Sequence, residues 1–343
     1  MILMYHNFDA TKPDGDYNRK PDSFRQDLEG LYKRGYRPAT ASEFIDGKVA
    51  PDVPAGKTPV VLTFDDSLPT QFRTITKPDG REAIDPNCAV GVMETFHKAH
   101  PDWLLRGTFF VLPSENNKPV PFYQQESLGQ KFTYLLKAGY EIQNHTSTHP
   151  NMRGMTADKV QWELGTAKRD IQEIDKGAAM DIMALPYGAV PKQPQAKQAL
   201  ISGASGGTSY QNRAVFLAAY RPVLSPITKM DKKVNQGGRL CVFDPYRLER
   251  VKPNPTQANL PGTFEYWLKW FDANPSERYV SGGNPQVAVV PAGSKSAVDP
   301  ARVLALGKTL QVYGGSEDSL GASGPGANPS GAGANPGGGL SVE

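Results

Sequence analysis

The sequence lacks both the many cysteines of disulfide-rich proteins and the long apolar runs of membrane-spanning proteins. Among its 343 residues are only two cysteines, Cys88 and Cys241, which are too few for a disulfide framework or a cysteine zinc site. We expect both to be thiols, the alternative being one bridge between them. No apolar run approaches the roughly 20 residues that a membrane-spanning helix needs. We therefore expect a soluble chain without a transmembrane segment.

The sequence also lacks an excess of charge of one sign. It has 38 Lys and Arg against 35 Asp and Glu, for a formal net charge of +3, and the two signs are interspersed. Binding to nucleic acid or to an anionic membrane surface needs a clustered basic patch. Neither partner is therefore expected.

The amino-terminal residues lack the features of a secretory signal. The opening MILMY has no basic flank and is followed at once by His6 and Asn7, whereas a signal needs a basic start and a longer apolar segment. We interpret residues 1–5 as a first core strand. On this interpretation Met1 is a trimmed or internal start.

Helix and strand patterns alternate along the chain. Amphipathic helices are predicted over 24–33 and 128–137, each followed by a Gly-Tyr pair (35–36 and 139–140) in which the glycine suits a left-handed helix end. The apolar runs at 59–64 and 107–112 are typical of buried parallel strands. This alternation predicts an α/β fold, in which sites collect at the carboxyl ends of strands.

Composition divides the chain into one catalytic domain, residues 1–313, and a tail, residues 314–343. The tail is rich in Gly, Ala, Ser, Asn and Pro, so we predict it to be disordered. We interpret 77–100 and 221–239 as insertions on loops, and we expect His97 and His100, in the first insertion, to be surface residues.

A predicted helix at 260–272 has apolar side chains at i, i+3, i+4 and i+7. That stripe favours core packing over a sugar-stacking platform. Its members are Phe264, Trp267, Leu268 and Phe271.

Two adjacent carboxylates, Asp65 and Asp66, come directly after the strand-like run VVLTF. Alone, such a pair is most often a solvated turn. After a buried strand, both reach the functional edge of an α/β sheet, where one could bind a metal ion and the other could act as a base.

Two histidines, His145 and His149, follow the strand-like run YEIQN. Pro150 disfavours helical backbone at His149, so we predict a turn. Together with Asp66, the imidazoles would supply three ligands and leave coordination positions open, a set that suits Zn²⁺ or Fe²⁺. A third strand, ending in LPYG, would bring backbone N–H groups toward a developing oxyanion.

TFDD (63–66), H-[ST]-x-x-H as HTSTH (145–149) and LPYG (185–188) occur in this order. The ordered set resembles the polysaccharide deacetylases of the NodB-homology type, carbohydrate esterase family 4, over residues 58–190. The resemblance implies a distorted (β/α) barrel and metal-dependent removal of acetyl groups from sugars. It implies one divalent ion, Zn²⁺ before Co²⁺, Ni²⁺ or Fe²⁺, and an acetylated polysaccharide as substrate.

The same resemblance assigns roles residue by residue. Asp65 matches the catalytic base, and Asp66, His145 and His149 match the metal ligands. Thr146 matches the hydroxyl that braces the second motif, and Tyr187, after Pro186, matches the residue whose backbone N–H helps to hold the oxyanion. We assign Thr146, Pro186 and Arg247 to the substrate-binding surroundings.

Two departures from the family pattern concern the catalytic groups. The family usually has an arginine two residues before the proline of the third motif, where this chain has Ala184. Arg247 or Arg250 are the candidates to orient Asp65 instead. The second departure is that no histidine follows His149, although the family's late motif supplies a histidine as general acid.

The amino terminus offers a replacement for that acid. ILMYHNF resembles the branch typified by bacterial poly-N-acetylglucosamine deacetylases, in which the barrel is circularly rearranged and a first-strand histidine is the acid. His6 takes that place, the alternative being a structural histidine at a strand end. We therefore expect N-deacetylation by a monomer at the cell envelope or outside the cell. An O-acetyl esterase acting on xylan and an impaired carbohydrate-binding protein are the alternatives.

Overall fold

A computed structural model describes residues 1–50, 52–115, 118–119, 121–229, 234–236, 239–241 and 243–314. The tail predicted beyond Gly314, part of the 221–239 insertion and the side chain of Cys241 lie outside this description. Cys88 is a buried free thiol.

The helices of the described part are α1 (Pro21–Lys33), α2 (Ala41–Ile45), α3 (Ala89–Ala99), α4 (Leu128–Ala138), α5 (Ala157–Ile174), α6 (Pro194–Ile201), α7 (Phe264–Ala273) and α8 (Pro300–Ala305). The strands are β1 (Ile2–Tyr5), β2 (Tyr36–Ala39), β3 (Thr58–Phe64), β4 (Thr74–Thr76), β5 (Glu82–Ile84), β6 (Thr108–Val111), β7 (Ser114–Glu115), β8 (Lys118–Pro119), β9 (Glu141–Asn144), β10 (Ile182–Ala184), β11 (Ser202–Ser205), β12 (Thr208–Gln211), β13 (Ala214–Ala218), β14 (Val234–Gln236), β15 (Arg239–Cys241), β16 (Leu248–Arg250), β17 (Val287–Pro291) and β18 (Thr309–Tyr313).

Parallel strands form a nearly closed barrel in the order β1–β3–β6–β9–β10–β13–β16, with β2 paired to β3. The barrel closes where β16 leads back to β1: Leu3 bridges Val251, and the Met4 N–H donates to the Val251 carbonyl at 2.9 Å. This architecture confirms the predicted distorted (β/α) barrel. Because the barrel strands are parallel, their carboxyl ends meet at one mouth.

The barrel strands are the apolar runs of the sequence. All four residues of β1 are buried, as predicted for MILMY, and the strand of 59–64 is β3, which begins one residue earlier. Aromatic side chains link the barrel to its helices, as where Phe24 of α1 meets Phe64 of β3 edge to face with ring centroids 6.3 Å apart. Burial of such large apolar groups is the main source of stability in the fold.

Two predicted helices and their ends are confirmed. α4 ends at Gly139, whose φ of 104° is left-handed, and Gly35, after α1, has a φ of 79°. The four apolar residues predicted for the core face of α7 are all buried, so core packing is confirmed there.

The interpretation of 77–100 as a loop insertion is wrong for its second half. Residues 89–99 form α3, and Val90, Val92, Met93 and Phe96 are buried in the main core. In the first half, β5 pairs antiparallel with β4, which lies directly before residue 77. His97 and His100 are half-buried, so they are less exposed than expected.

Within the described residues, no helix is both long enough and apolar enough to span a membrane.

Candidate active site

The predicted site residues lie at the carboxyl ends of barrel strands, on one mouth. His6 follows β1, Asp65 and Asp66 follow β3, His145 follows β9, and Tyr187 lies three residues beyond β10. The fold thus brings together residues that are far apart in sequence.

Asp66, His145 and His149 form a compact cluster. One potential ligand atom from each lies within 4.8 Å of the others. The Nε2 atoms of both histidines lie 3.2 Å from Oδ1 of Asp66. His145 is buried, whereas Asp66 and His149 are partly exposed, so the cluster is open toward the mouth. Two imidazole nitrogens and one carboxylate oxygen suit a single divalent ion such as Zn²⁺, Co²⁺, Ni²⁺ or Fe²⁺.

The surroundings orient the imidazole of His145. Its Nδ1 lies 2.8 Å from the carbonyl of Ala184, which fixes Nδ1 as the donor and leaves the Nε2 lone pair facing Asp66. Burial would lower the pKa of His145, but the negative charges of Asp65 and Asp66 outweigh it and raise that pKa. Burial would also raise the pKa of Asp66, but its interactions with His145 and His149 outweigh burial and lower that pKa.

A tight turn holds the two histidines in place. Thr146 and His149 have left-handed φ angles of 71° and 56°, in agreement with the turn predicted before Pro150. The Asn144 side chain accepts from the Thr146 N–H at 2.8 Å, and the Thr146 hydroxyl accepts from the His149 N–H at 3.1 Å. The Thr146 hydroxyl therefore lies inside the turn that carries both histidines.

Glu163, on α5, is a residue of this site that the sequence analysis missed. Its buried carboxylate accepts from the N–H groups of Ser147 and Thr148, both at 2.9 Å, and from the Thr148 hydroxyl at 2.6 Å. A signal was present, because Glu163 occupies an apolar position of the helix, between the buried Val160 and Ala167.

A buried arginine, Arg250, orients Asp65. Its guanidinium donates to both carboxylate oxygens of Asp65, at 2.6 and 2.7 Å, and also to the carbonyl of Leu217 and the hydroxyl of Thr63, each at 3.1 Å. Burial would raise the pKa of Asp65, but Arg250 and His145 outweigh it, so that the pKa is lowered and Asp65 is anionic.

Of the two arginines that the sequence offered, Arg250 is the one that contacts Asp65. Arg247 precedes β16 and is exposed, so it lies toward the amino end of the barrel, about 10 Å along the strand from Arg250. Arg247 therefore does not join the cluster, and its predicted contact with substrate stays a prediction.

His6 lies at the mouth beside Asp65 and Asp66, and its charge interactions include both of them. Burial, with a smaller contribution from Arg250, lowers the pKa of His6 despite the two carboxylates. Its Nδ1 is buried and has no hydrogen-bond partner among the described residues. The imidazole meets the ring of Tyr17 edge to face, with centroids 5.0 Å apart.

Tyr187 lies on the opposite side of the cluster. It has a left-handed φ of 57° and a side chain that is 66% exposed. Its hydroxyl is 3.2 Å from Nδ1 of His149. Pro186, before it, is buried. Gly188, after it, leaves no room for a side chain, because a Cβ atom there would lie 2.9 Å from the Ala218 carbonyl oxygen. The LPYG turn is thus packed tightly against β13.

The remaining two histidines lie away from the mouth. Nδ1 of His97 is 2.8 Å from the Trp103 carbonyl, and the His100 ring packs 4.3 Å from the ring of Tyr32. Both therefore have structural surroundings outside the site.

Residues 52–201 match the family described as polysaccharide deacetylase. No curated protein matches the chain in sequence. Solved structures similar to it include the Bacillus anthracis protein BA0330, named as a candidate polysaccharide deacetylase, with 15% identity, a TM-score of 0.49, and coverage of 79% of this chain and 67% of that one.

Two further similar structures are IcaB from Ammonifex degensii and the deacetylase PplD from Streptococcus pyogenes, solved with acetate. IcaB is 17% identical with a TM-score of 0.45, over 78% of this chain and 96% of that one. PplD is 19% identical with a TM-score of 0.43, over 63% and 91%. Residues 52–201, less than half of the chain, are thus similar to the polysaccharide deacetylase family.

Proposed function

We propose that the chain removes N-acetyl groups from an acetylated amino-sugar polysaccharide, with one divalent ion held by Asp66, His145 and His149. Peptidoglycan, poly-N-acetylglucosamine and chitin-like chains are the substrates of this class. The observation that carries the proposal is an oriented, anionic Asp65 beside an open cluster of three potential ligands.

Asp65 is the proposed general base. A divalent ion in the cluster would polarise the acetyl carbonyl and lower the pKa of a water molecule. Asp65 takes the proton of the attacking water, and its pairing with Arg250 keeps the carboxylate ionised and fixed in orientation. The missing motif arginine is thus replaced in function by one from the last barrel strand.

We propose that His6 protonates the leaving nitrogen and that the Tyr187 N–H binds the oxygen that gains charge. An unprotonated amine is a poor leaving group, so amide cleavage needs an acid, and His6 is the histidine on the side of the mouth opposite Tyr187. The Tyr187 N–H would donate to the acetyl oxygen as its charge develops. Thr146 and Pro186 act in this proposal by holding the two turns in place.

The test is acetate release from N-acetylglucosamine oligomers and from acetylated xylan, each with added Zn²⁺ or Co²⁺. The parent chain is compared with Asp65→Asn, His6→Ala and a matched control, His97→Ala. We expect release from the amide substrate to fall at least a hundredfold in Asp65→Asn and His6→Ala and to be unchanged in His97→Ala.

Each other outcome supports a different function. Release from xylan alone, indifferent to His6, would make the chain an O-acetyl esterase, because an alkoxide leaves more easily than an amine. No release from either polymer, together with failure to bind Zn²⁺, Co²⁺ or Ni²⁺, would make it a carbohydrate-binding protein. We further propose an extracellular or cell-envelope monomer, because acetylated structural polysaccharides lie there.

A further inference from the structure

Exposed tyrosines surround the mouth of the barrel. Tyr17, after β1, is 60% exposed, Tyr187, after β10, is 66% exposed, and Tyr220, after β13, is 54% exposed. Large aromatic side chains are usually buried because they carry much apolar area. Their clustering at one edge of the fold therefore needs an explanation beyond packing.

A buried lysine connects two of these tyrosines. The Lys252 ammonium donates to the Tyr17 hydroxyl at 3.1 Å and lies over the Tyr17 ring, 4.4 Å from its centroid. It also lies 5.4 Å from the centroid of the Tyr220 ring. A cation between two aromatic rings is attracted to both of them. Tyr17 and Tyr220 are thus held in fixed positions, while more than half of each side chain faces solvent.

The charge of Lys252 is balanced locally. Asp16 lies 3.5 Å from its ammonium, and the Asn254 side chain donates to the other Asp16 oxygen at 2.6 Å. The two opposite charges cancel at longer range. A ligand that meets this surface therefore meets aromatic faces without a net charge, and a charged ligand would gain nothing over a neutral one.

The surface is continuous with the candidate site through His6. The Tyr17 ring packs against the His6 imidazole with a centroid distance of 5.0 Å. In the proposed reaction His6 donates its proton to the nitrogen attached to a sugar ring. That sugar ring and its chain neighbours must then lie on the His6 side of the mouth, where Tyr17 and Tyr220 stand.

We propose that Tyr17 and Tyr220, tied together by Lys252, form a stacking subsite for an uncharged pyranose ring of the glycan chain. The C–H face of a pyranose is apolar and slightly positive, which complements the negative face of an aromatic ring. Lys252 is a positioning residue that holds the rings. The inference rests on the proposed function, because the proposed role of His6 is what places the reacting sugar on this side of the mouth.

The experiment measures KM and kcat for release of acetate from an N-acetylglucosamine tetramer and for hydrolysis of 4-nitrophenyl acetate. The variants are Tyr17→Ala, Tyr220→Ala and Lys252→Met. The matched control is Tyr246→Ala, an exposed tyrosine that precedes β16 near the opposite end of the barrel. Calorimetric titration with the tetramer gives the dissociation constant independently of turnover.

For the tetramer, we expect KM to rise about tenfold in each tyrosine variant and about threefold in Lys252→Met, with kcat little changed because the contact is made throughout the reaction. Hydrolysis of the small ester should not change, and Tyr246→Ala should behave as the parent. If either Tyr17→Ala or Tyr220→Ala folds as the parent does and binds the tetramer with parental affinity, the subsite is overturned.

The two proposals fail in different ways. If the parent releases no acetate but binds the tetramer, and Tyr17→Ala and Tyr220→Ala lose that binding, the subsite stands and the proposed reaction does not. If the parent releases acetate with a KM that no tyrosine variant alters, the reaction stands and the subsite does not. If Lys252→Met fails to fold, the tyrosine variants carry the test.

Discussion

At the scale of single residues, the site is built from buried charges that depend on one another. Asp65 and Arg250 have almost no exposed side-chain area, 3% and 0%. Removing two charges from water is costly, so the pair is tolerable only because two short hydrogen bonds join its members. Replacing one member leaves the other buried without its partner.

The first prediction concerns that pair. Arg250→Met should lower the free energy of unfolding by about 3 kcal/mol, because a buried unpaired carboxylate remains. It should also raise the pKa of Asp65 and reduce acetate release at least a hundredfold. Arg250→Lys should recover part of both losses, since lysine restores the charge without the bidentate geometry.

Denaturant unfolding and acetate release check this prediction, with Arg247→Met as the comparison from the other end of β16. A loss of activity in Arg247→Met that matched the loss in Arg250→Met would contradict the assignment of Arg250 as the orienting residue. Unchanged stability in Arg250→Met would contradict the buried pair itself.

The second prediction concerns Glu163, which contacts the turn between the two histidines. Glu163→Ala leaves the Ser147 and Thr148 N–H groups without their acceptor and should weaken Zn²⁺ or Co²⁺ binding about 10- to 100-fold, as loss of supporting hydrogen bonds around ligands usually does. Glu163→Gln should be nearly normal, because an amide oxygen can accept both bonds and the Thr148 hydroxyl can accept from its NH₂ group.

Metal titration followed by calorimetry or by the visible spectrum of Co²⁺ measures this affinity without relying on turnover. Glu173→Gln, a change at an exposed position of the same helix, is the control. Parental affinity in a correctly folded Glu163→Ala would show that the turn holds its shape without the carboxylate.

At the scale of elements, the sequence predicted those helices and strands that are determined by the local spacing of apolar residues. α4 and α7 were predicted because their apolar residues recur with the helical period, and β1 and β3 because they are short continuous apolar runs. α3 was missed because the Pro- and Asn-rich flank at 77–88 dominated the composition, although Val90, Met93 and Phe96 have helical spacing. Asp65, Asp66 and His145 were singled out because they directly follow strands.

Contacts between distant elements could not be predicted in this way. Arg250 is 185 residues from Asp65, and its arrival depends on β16 pairing with β13 beside β1. The sequence offered Arg247 and Arg250 as candidates to orient Asp65, and the register of β16 places Arg250 beside it. Glu163 was missed because its role depends on how α5 packs against the turn after β9.

The third prediction belongs to α4, where Lys131 is buried. Its ammonium donates hydrogen bonds to two neutral acceptors, the Gln124 side chain at 2.7 Å and the Phe122 carbonyl. Burial lowers its pKa from 10.5 to about 8. Below pH 8 the folded state therefore carries the full cost of a buried charge, and Lys131→Met should be more stable than the parent by about 2 kcal/mol.

This difference should depend on pH with a defined sign. Between pH 8 and 10.5 the unfolded chain holds the Lys131 proton more firmly than the folded chain, so parental stability rises with pH relative to Lys131→Met. Urea unfolding at pH 7, 9 and 10.5 tests this, with Lys137→Met, in the last turn of the same helix, as the control. A gap that stayed constant or widened would contradict the lowered pKa.

At the scale of the whole molecule, the proposed metal site should be coupled to global stability. An ion that binds only the folded state stabilises it by about 2.7 kcal/mol at a concentration 100 times its dissociation constant. For a chain of this size we expect Zn²⁺ to raise Tm by about 5 °C, and a chelator to reverse the rise.

Differential scanning calorimetry with and without Zn²⁺ checks this fourth prediction. Asp66→Asn and His149→Ala should lose the rise, whereas His97→Ala should keep it. A rise of equal size in all of these proteins would indicate binding elsewhere on the chain.

Closure of the barrel by β16 has a consequence for how the protein is made. The three potential metal ligands all occur by residue 149, but the arginine that pairs with Asp65 is residue 250. As the chain leaves the ribosome, the three potential ligands emerge a hundred residues before the arginine that pairs with Asp65. A product interrupted between them would contain all three ligands but neither Arg250 nor the strand that closes the barrel, and we expect it neither to fold nor to hydrolyse substrate.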